Sequence, residues 1–266
     1  MEATRELNTG RTMPAIGLGT WYLTDDTAGT VEEALRLGYR MIDTAEDYGT
    51  QPGIGEALRR TDVPREEIFL VAKVEEDEDA YEATRANLDE MGQAYADLVV
   101  IHRTPDEGVG VELWRGLLRA REEGLARDIG VSNYSTGQID ALVDATGEVP
   151  AVNQIEWTPF GWSQDMLDYC GERRIVIQAY SPLTRAQRLD DERLERVAAA
   201  YDRTPAHVLL AWALRLGVAP LPKANQKTHL VENLDALEFA LDDAAMQALA
   251  QFNEHASAQG SSLQYV

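Results

Sequence analysis

Four ionisable side chains stand at or near the ends of three strand-like segments. Asp43 falls where the apolar run MIDTA would end, Lys73 lies near the end of IFLVAKV, and His102 ends ADLVVIH. Tyr48 follows Asp43 by five residues, on a segment that must return over the same strand end. Buried parallel strands present their carboxyl ends at one mouth, so we expect all four groups to meet there.

Together these groups could deliver a proton. A phenol with an ordinary pKa of about 10 is a poor donor at neutral pH, but a neighbouring ammonium stabilises the phenolate and lowers that pKa. Lys73 would supply the charge, and Asp43 would hold Lys73 in place. A neutral His102 would donate to a substrate oxygen and orient a carbonyl beneath Tyr48. Helix capping or packing could explain each residue singly, but the joint pattern predicts proton delivery to a developing alkoxide.

Longer motifs around these residues resemble those of the aldo-keto reductases. The segments GYRMIDTAEDYG, VAKV and DLVVIH carry the resemblance, and EEGLARDIGVSNYS, VNQIEW, AYSPL and LPKANQKTHLVEN continue it in family order. The match covers nearly the whole chain. It implies a catalytic tetrad of Asp43, Tyr48, Lys73 and His102, with Tyr48 as general acid. It also implies a (β/α)8 barrel that binds a nicotinamide dinucleotide without the Rossmann glycine fingerprint, and no GxGxxG follows a strand here.

The elements that would position the tetrad form one α/β domain over residues 1–266. A chain of 266 residues that is 44% hydrophobic can bury a large core, and a single barrel of about 250 residues is common at this length. The segment RELNTGRTMPAI predicts a β-hairpin that closes the lower end of the barrel. Apolar periodicity predicts helices at about 27–37, 51–60, 189–201 and 205–216. The acidic run EEDED reads as a solvated turn at the start of a further helix.

Composition excludes several classes of partner. The formal net charge is −22, acidic residues are dispersed along the chain, and lysine occurs only at positions 73, 223 and 227. This balance argues against nucleic acid and anionic membranes as partners, and it suggests a halophilic surface adapted to concentrated salt. No apolar run is long enough to span a membrane, and no signal region is present, so we predict a cytoplasmic protein.

Cysteine and histidine usage predicts neither a disulfide nor a metal site. Cys170 is the single cysteine, and the four histidines do not share a ligand-like spacing. His207 lies within a predicted helix, away from any strand end, and is interpreted as structural. Relatives in the family are often monomers, and we expect the same here.

The resemblance implies further contacts to a nicotinamide cofactor. Ser132 and Asn133 end the strand RDIGVSN, and with Gln154 they would hold the carboxamide, which needs both donors and acceptors. Tyr180 would stack on the nicotinamide. The remaining implied contacts are Thr20, Trp21, Asp43, Ser181, Pro182, Leu183, Lys223, Ala224, Asn225, His229, Glu232 and Asn233. The substrate pocket would be formed by Trp21, Tyr48, His102 and Arg103.

The phosphate end of this site departs from the family pattern in two places. Lys223 suits the 2′-phosphate of NADP, beside a helix whose N-terminus would face an anion. The serine that usually follows this lysine is Ala224, and the arginine six positions after it is His229. Neither replacement binds phosphate as a hydroxyl or a guanidinium does. We therefore expect NADPH to be used with weakened discrimination, so that NADH is also accepted.

A third departure concerns the substrate. Many relatives carry an aromatic residue directly after the catalytic histidine, where this chain has Arg103. The arginine would favour an anionic or polyhydroxy carbonyl compound, such as a sugar or a keto acid, unless it is simply a surface residue. Little chain follows the last predicted helix, so we also expect an open pocket with modest selectivity.

Two other functions fit the same barrel. The protein could be a cofactor-sensing regulatory subunit that binds a dinucleotide with little turnover. It could also be an isomerase or lyase that uses Lys73 as a Schiff-base nucleophile, although the spacing of Tyr48 and His102 argues against this. The pattern as a whole favours an oxidoreductase that reduces aldehydes or ketones, small-molecule carbonyl compounds, to alcohols.

Overall fold

The computed structural model describes residues 3–23, 25–260 and 263–265. Strands β1 (Thr4–Glu6) and β2 (Thr12–Pro14) form an antiparallel hairpin. The apolar side chains of Leu7 and Met13 leave this hairpin and join the cluster inside the barrel, next to the first residues of several strands. The predicted hairpin is therefore confirmed, and it covers the amino ends of the strands.

Eight parallel strands follow, and their order in the sheet is their order in the chain. They are β3 (Leu18–Gly19), β4 (Met41–Asp43), β5 (Phe69–Val74), β6 (Ala96–Ile101), β7 (Ala126–Ser132), β8 (Val152–Glu156), β9 (Val176–Tyr180) and β10 (Ala219–Pro220). The strands are buried almost throughout, as expected for a parallel sheet covered on both faces.

Hydrogen bonds between the first and last strands close the barrel. The Gly17 N–H donates to the Pro220 carbonyl at 3.1 Å, and the Gly19 N–H donates to the Pro222 carbonyl at 3.2 Å. A β-carbon on Gly19 would lie only 2.7 Å from the Leu221 carbonyl oxygen, so the close approach of these two strands requires glycine there. The predicted (β/α)8 architecture is confirmed.

Helices alternate with the strands on the outside of the barrel. They are α1 (Thr27–Leu37), α2 (Gln51–Arg60), α3 (Ala80–Met91), α4 (Val111–Glu122), α5 (Thr136–Thr146), α6 (Gln164–Arg173), α7 (Glu192–Ala200), α8 (Pro205–Arg215), α9 (Lys227–Asp235) and α10 (Asp243–Ala250). The predicted bounds of α1 and α2 are confirmed. The helix predicted from residue 189 begins instead at Glu192, because the Asp191 side chain accepts a hydrogen bond from Arg193 N and caps it.

Buried charges join the hairpin to the lower end of the barrel. The Asp128 carboxylate is fully buried, and it accepts hydrogen bonds from Thr9 Oγ1 at 2.7 Å and from Arg11 Nε at 2.9 Å. On the neighbouring strand, Asp97 pairs with Arg11 at 3.4 Å and with Arg65 at 2.9 Å. The two pairs made by Arg11 hold the hairpin against β6 and β7. Within the described ranges, no helix has the length and apolar character needed to cross a membrane.

Candidate active site

The structure brings the four predicted groups together at the carboxyl ends of the strands. Asp43 ends β4, Lys73 lies in β5, His102 directly follows β6, and Tyr48 lies on a short 3-10 turn after β4. The Lys73 ammonium donates to Asp43 Oδ2 at 2.8 Å and to the Thr44 carbonyl at 3.0 Å. Its Nζ lies 4.8 Å from the centre of the Tyr48 ring, and the Tyr48 and His102 rings meet edge to face at 5.8 Å.

The acidity of Tyr48 differs from the prediction. Burial raises the pKa of the Tyr48 phenol, Lys73 acts against that rise, and Asp43 adds to it, so the net shift is upward. The expectation that Lys73 lowers this pKa below its ordinary value is therefore wrong, because removing the phenolate from water costs more than the ammonium recovers. Tyr48 thus keeps its proton at neutral pH, and Lys73 limits the cost of losing it.

Lys73 remains a cation despite complete burial. Burial lowers the pKa of its ammonium, but Asp43 and Tyr48 together raise it further, and the net shift is upward. A Schiff-base nucleophile must be available as a neutral amine near neutral pH. The Lys73–Asp43 pair therefore argues against the isomerase or lyase alternative.

The residues predicted to hold a carboxamide form one hydrogen-bonded network with the tetrad. Gln154 Nε2 donates to Asp43 Oδ1 at 2.8 Å, and Ser132 Oγ donates to the Gln154 carbonyl at 2.7 Å. Asn133 Nδ2 donates to Ser132 Oγ at 3.1 Å, and Tyr180 donates its phenolic proton to Asn133 Oδ1 at 2.8 Å. The network fixes the orientation of the Tyr180 ring beside the amides.

A cavity of about 890 Å³ opens above this network. Its walls include most of the predicted contacts, namely Trp21, Asp43, Tyr48, His102, Arg103, Ser132, Asn133, Gln154, Tyr180, Ser181, Pro182, Leu183, Lys223, His229, Glu232 and Asn233. Four predicted residues stand outside its lining. Thr20 and Lys73 are buried beneath it, Ala224 is buried, and Asn225 is exposed. Thr20 instead donates to the Asp43 carbonyl at 2.9 Å and supports that strand end.

Sequence reasoning missed several residues of the cavity wall. Tyr22 is 68% exposed beside Trp21, and the Arg185 guanidinium stacks on the Trp21 ring at 4.3 Å. Gln259 and Gln264 reach the cavity from the carboxyl-terminal segment. A polar segment without periodicity carries no pattern that would have placed these two glutamines.

Glu156 holds that carboxyl-terminal segment against the barrel. Its buried carboxylate accepts from Ser257 Oγ and from the Ala258 N–H, both at 2.6 Å. The Tyr265 hydroxyl donates to the Glu156 carbonyl at 2.8 Å. Although the segment is short, it therefore supplies part of the cavity wall.

The loop after β9 has a strained backbone. Ser181, Thr184, Arg185 and Ala186 all have positive φ, between 48° and 63°, in a segment without glycine. Thr184 is buried, and its hydroxyl accepts from the Arg188 N–H at 3.1 Å, which helps to hold this conformation. Such strain clusters at ligand sites because surrounding structure must maintain it.

The end of the cavity formed by Lys223 and Asn233 carries one cation and one amide without a close hydrogen bond. Lys223 is exposed and has no ion pair within the described ranges. Lys227, by contrast, pairs with Glu33 at 3.1 Å and does not line the cavity. Asn233 lines the cavity, and its buried Nδ2 makes no close hydrogen bond among the described residues, although it lies near enough to the Tyr39 hydroxyl to lower the pKa of that phenol. A buried amide donor without a close hydrogen bond is costly, and an acceptor on an adenine ring would satisfy it.

Two glutamates also line the cavity, Glu195 on α7 and Glu232 on α9. The Thr204 hydroxyl donates to the Glu232 carboxylate and caps α8, and His207 Nδ1 lies 3.6 Å from the same carboxylate. His207 therefore has the structural role predicted for it, although it lies next to the cavity wall.

Arg103 belongs to an ionic cluster at the end of the cavity that carries the tetrad. Its guanidinium donates to Glu75 Oε2 at 2.7 Å and to Asp47 Oδ2 at 3.1 Å. Glu75 Oε1 lies 2.6 Å from His102 Nδ1. Arg103 is thus already neutralised, which argues against it as a binding group for an anionic substrate. The EEDED run is also more than a solvated turn, because its first residue, Glu75, contacts the site.

A phenol, an ammonium and an imidazole therefore meet at the mouth of a parallel barrel, beside a cavity. Residues 15–254 match the aldo/keto reductase family. An aldo-keto reductase of Mycobacterium tuberculosis (strain ATCC 25618 / H37Rv) is 38% identical over 265 residues, which cover 97% of this chain and 94% of that protein. The chain belongs to the aldo-keto reductase family and is an NAD(P)H-dependent oxidoreductase, as predicted.

Solved structures agree with this assignment. The crystal structure of an aldo-keto reductase from Bombyx mori in complex with NADP is 32% identical, with a TM-score of 0.90, and the match covers 96% of this chain and 94% of that one. A variant of Gox0644 in complex with NADPH is 34% identical, with a TM-score of 0.90, and the match covers 98% and 96% of the two chains. The family reduces carbonyl groups, and these two relatives bind NADP(H).

Proposed function

We propose that this protein reduces aldehydes or ketones to alcohols with NADPH, and that Tyr48 protonates the nascent alkoxide. The observation that carries the proposal is the buried Lys73–Asp43 pair at 2.8 Å, with its ammonium beneath the Tyr48 ring at the mouth of the cavity. A reduced nicotinamide bound in the cavity supplies a hydride to the carbonyl carbon. Tyr48 gives its proton to the oxygen, and Lys73 stabilises the phenolate that remains.

The residues present fit a nicotinamide dinucleotide. The amides and hydroxyl of Asn133, Gln154 and Ser132 adjoin Tyr180, and they offer hydrogen-bonding groups for a carboxamide. At the other end, the Nδ2 of Asn233, which makes no close hydrogen bond among the described residues, offers a donor for an adenine. Holding both ends of the cofactor would fix its reactive ring beside Tyr48 and exclude water from that face.

Replacing Tyr48 tests the reaction. Tyr48→Phe should retain cofactor binding and lose at least about 100-fold in kcat, the usual contribution of a general acid. Tyr22→Phe is the matched control, because Tyr22 lines the same cavity but is 68% exposed. Turnover is followed by the absorbance of the reduced nicotinamide with a panel of aldehydes and ketones. A Tyr48→Phe variant that reduces them at the parental rate contradicts the proposal.

For the cofactor, we propose NADPH use with NADH also accepted. Lys223 offers one cation for a 2′-phosphate, whereas Ala224 lacks a hydroxyl and Glu232 brings a negative charge to the same end. One exposed cation should give modest discrimination. The dissociation constants of NADPH and NADH measure it directly. A preference for NADPH above about a thousandfold, roughly 4 kcal/mol, contradicts this part of the proposal.

For the substrate, we propose an uncharged polar carbonyl compound, such as a polyhydroxy aldehyde. Arg103 is already paired with two carboxylates, and Gln259 and Gln264 contribute neutral polar groups to the wall. A keto acid and its methyl ester form a matched pair that differs in charge. We expect the ester to have the higher kcat/KM. A preference for the acid of more than about tenfold, or about 1.4 kcal/mol, would overturn the substrate class.

A further inference from the structure

Glu75 is held at both carboxylate oxygens. Oε1 lies 2.6 Å from His102 Nδ1, and Oε2 accepts from the Arg103 guanidinium at 2.7 Å. The Glu75 side chain is only 16% exposed. Burial raises the pKa of its carboxyl, but His102 and Arg103 outweigh burial, and the net shift is downward. Glu75 is therefore an ionised and oriented acceptor.

This contact determines which nitrogen of His102 carries a proton. An ionised carboxylate can only accept, so Nδ1 must be the donor. A neutral imidazole carries one proton, and with that proton on Nδ1 the other nitrogen, Nε2, can only accept. His102 lines the cavity, and Nε2 is the nitrogen left for a ligand there. The expectation that neutral His102 donates to a substrate oxygen does not fit this geometry.

We propose that Glu75 is a positioning residue that makes His102 act as an imidazolium, whose Nε2–H donates to the carbonyl oxygen while Glu75 holds the Nδ1 proton. The proposal rests on the proposed reductase function. His102 keeps both protons throughout, and the proton that ends on the alcohol comes from Tyr48. Arg103 in turn binds the Glu75 carboxylate and keeps it oriented toward the imidazole.

The charges around His102 favour a cation. Glu75 faces it from the end of β5, and Asp47 Oδ1 lies 4.0 Å from Nδ1 on the turn that also carries Tyr48. Arg103 is the next residue in the chain and pairs with both carboxylates. Glu76 also lies 3.7 Å from Arg103, so three carboxylates and one guanidinium leave a net negative charge around the imidazole.

The pH dependence of turnover tests this role. In this proposal, reduction requires His102 with a proton on both ring nitrogens. The value of kcat should therefore decline as rising pH removes one of them. Glu75→Gln keeps the shape and an amide oxygen for Nδ1–H but removes the charge that favours the imidazolium. We expect Glu75→Gln to lower kcat about tenfold on this falling limb and to move the limb to lower pH, with NADPH binding unchanged.

Glu76→Gln is the matched control. Glu76 is the adjacent carboxylate, and its side chain interacts with Glu75 and lies 3.7 Å from Arg103, but no contact joins it to His102 among the described residues. The Glu76→Gln variant should keep the parental pH profile. A parental profile in Glu75→Gln, or equal shifts in the two variants, would overturn the proposal.

A second measurement does not depend on turnover. The ring nitrogens of His102 can be observed by ¹⁵N-resolved NMR and assigned by the loss of their signals in His102→Asn. The parental protein should show Nδ1 protonated throughout the titration, with the second proton entering at Nε2. A neutral ring protonated at Nε2 refutes the role of Glu75 even if carbonyl reduction is confirmed. If the parental protein instead reduces no carbonyl compound while Nδ1 is protonated, the proposed function fails and the contact stands.

Discussion

Removing the ammonium of Lys73 should damage both stability and catalysis. Its side chain is fully buried, the Asp43 side chain is 5% exposed, and the two charges lie 2.8 Å apart. Lys73→Met keeps the aliphatic stem but leaves the Asp43 carboxylate buried without its cation. Breaking a buried pair in this way costs about 3–5 kcal/mol. We therefore expect the free energy of unfolding to fall by about that amount.

Urea unfolding measures this loss, and a double-mutant cycle with Asp43→Asn assigns it to the pair. Asp43→Asn alone leaves Lys73 buried and unpaired, but the double variant buries no net charge at this position. It should therefore be more stable than the sum of the two single losses implies, by at least about 1 kcal/mol. Losses that add to within about 0.5 kcal/mol would refute the reasoning.

Lys73→Met should also slow the reaction. Burial already raises the pKa of Tyr48, and Lys73 opposes that rise. Without the ammonium, the phenolate left by proton transfer loses its nearest cation, so kcat should fall by about 100-fold or more. The parental rate in Lys73→Met, at equal cofactor occupancy, would show that the lysine does not assist Tyr48.

Four further results are expected. Lys223→Ala should raise the dissociation constant of NADPH about fivefold and leave that of NADH unchanged, since an exposed ion pair contributes about 1 kcal/mol; equal changes for both cofactors would contradict this. Asp128→Ala should lower the free energy of unfolding by about 2–3 kcal/mol with kcat unchanged, because Arg11 and Thr9 lose a charged acceptor far from the cavity. Burial raises the pKa of Tyr134 and of Tyr265 in the folded protein. The unfolded chain therefore loses these protons at lower pH than the folded protein does, so the urea midpoint of unfolding should fall as pH rises above about 10. If the dispersed acidic charge is an adaptation to salt, the thermal midpoint should rise between dilute buffer and about 1 M salt, where the screening length is roughly 3 Å; an unchanged midpoint would exclude it.

Local sequence patterns predicted the elements that carry the tetrad. The bounds of α1 and α2 follow from apolar periodicity, and the positions of Asp43, Lys73 and His102 follow from short apolar runs that end in a polar group. These signals are local, because a buried strand is an unbroken run of apolar residues and ends where the run ends.

The remaining features depend on contacts between distant parts of the chain. Arg103 could be read as a free cation, because its partners Glu75 and Asp47 lie 28 and 56 residues earlier in the sequence. The direction of the shift in the Tyr48 pKa depends on whether the effect of burial exceeds that of Lys73. This balance cannot be obtained from residue types alone. The strained loop at Ser181 carries no glycine that would have signalled its positive φ.

The junction of β3 and β10 has a dynamic consequence. Both strands are two residues long, whereas β5 and β6 are each six residues long and pair along most of their length. Amide protons at the junction should therefore exchange with deuterium sooner than those of β5 and β6, since fewer neighbouring bonds must open together. Gly19, Leu221 and Pro222 at this junction also line the cavity. Local opening of this junction would thus change the width of the ligand channel beside Asp43, which pairs with Gly19, whereas Lys73 and His102 are held by the longer strands β5 and β6.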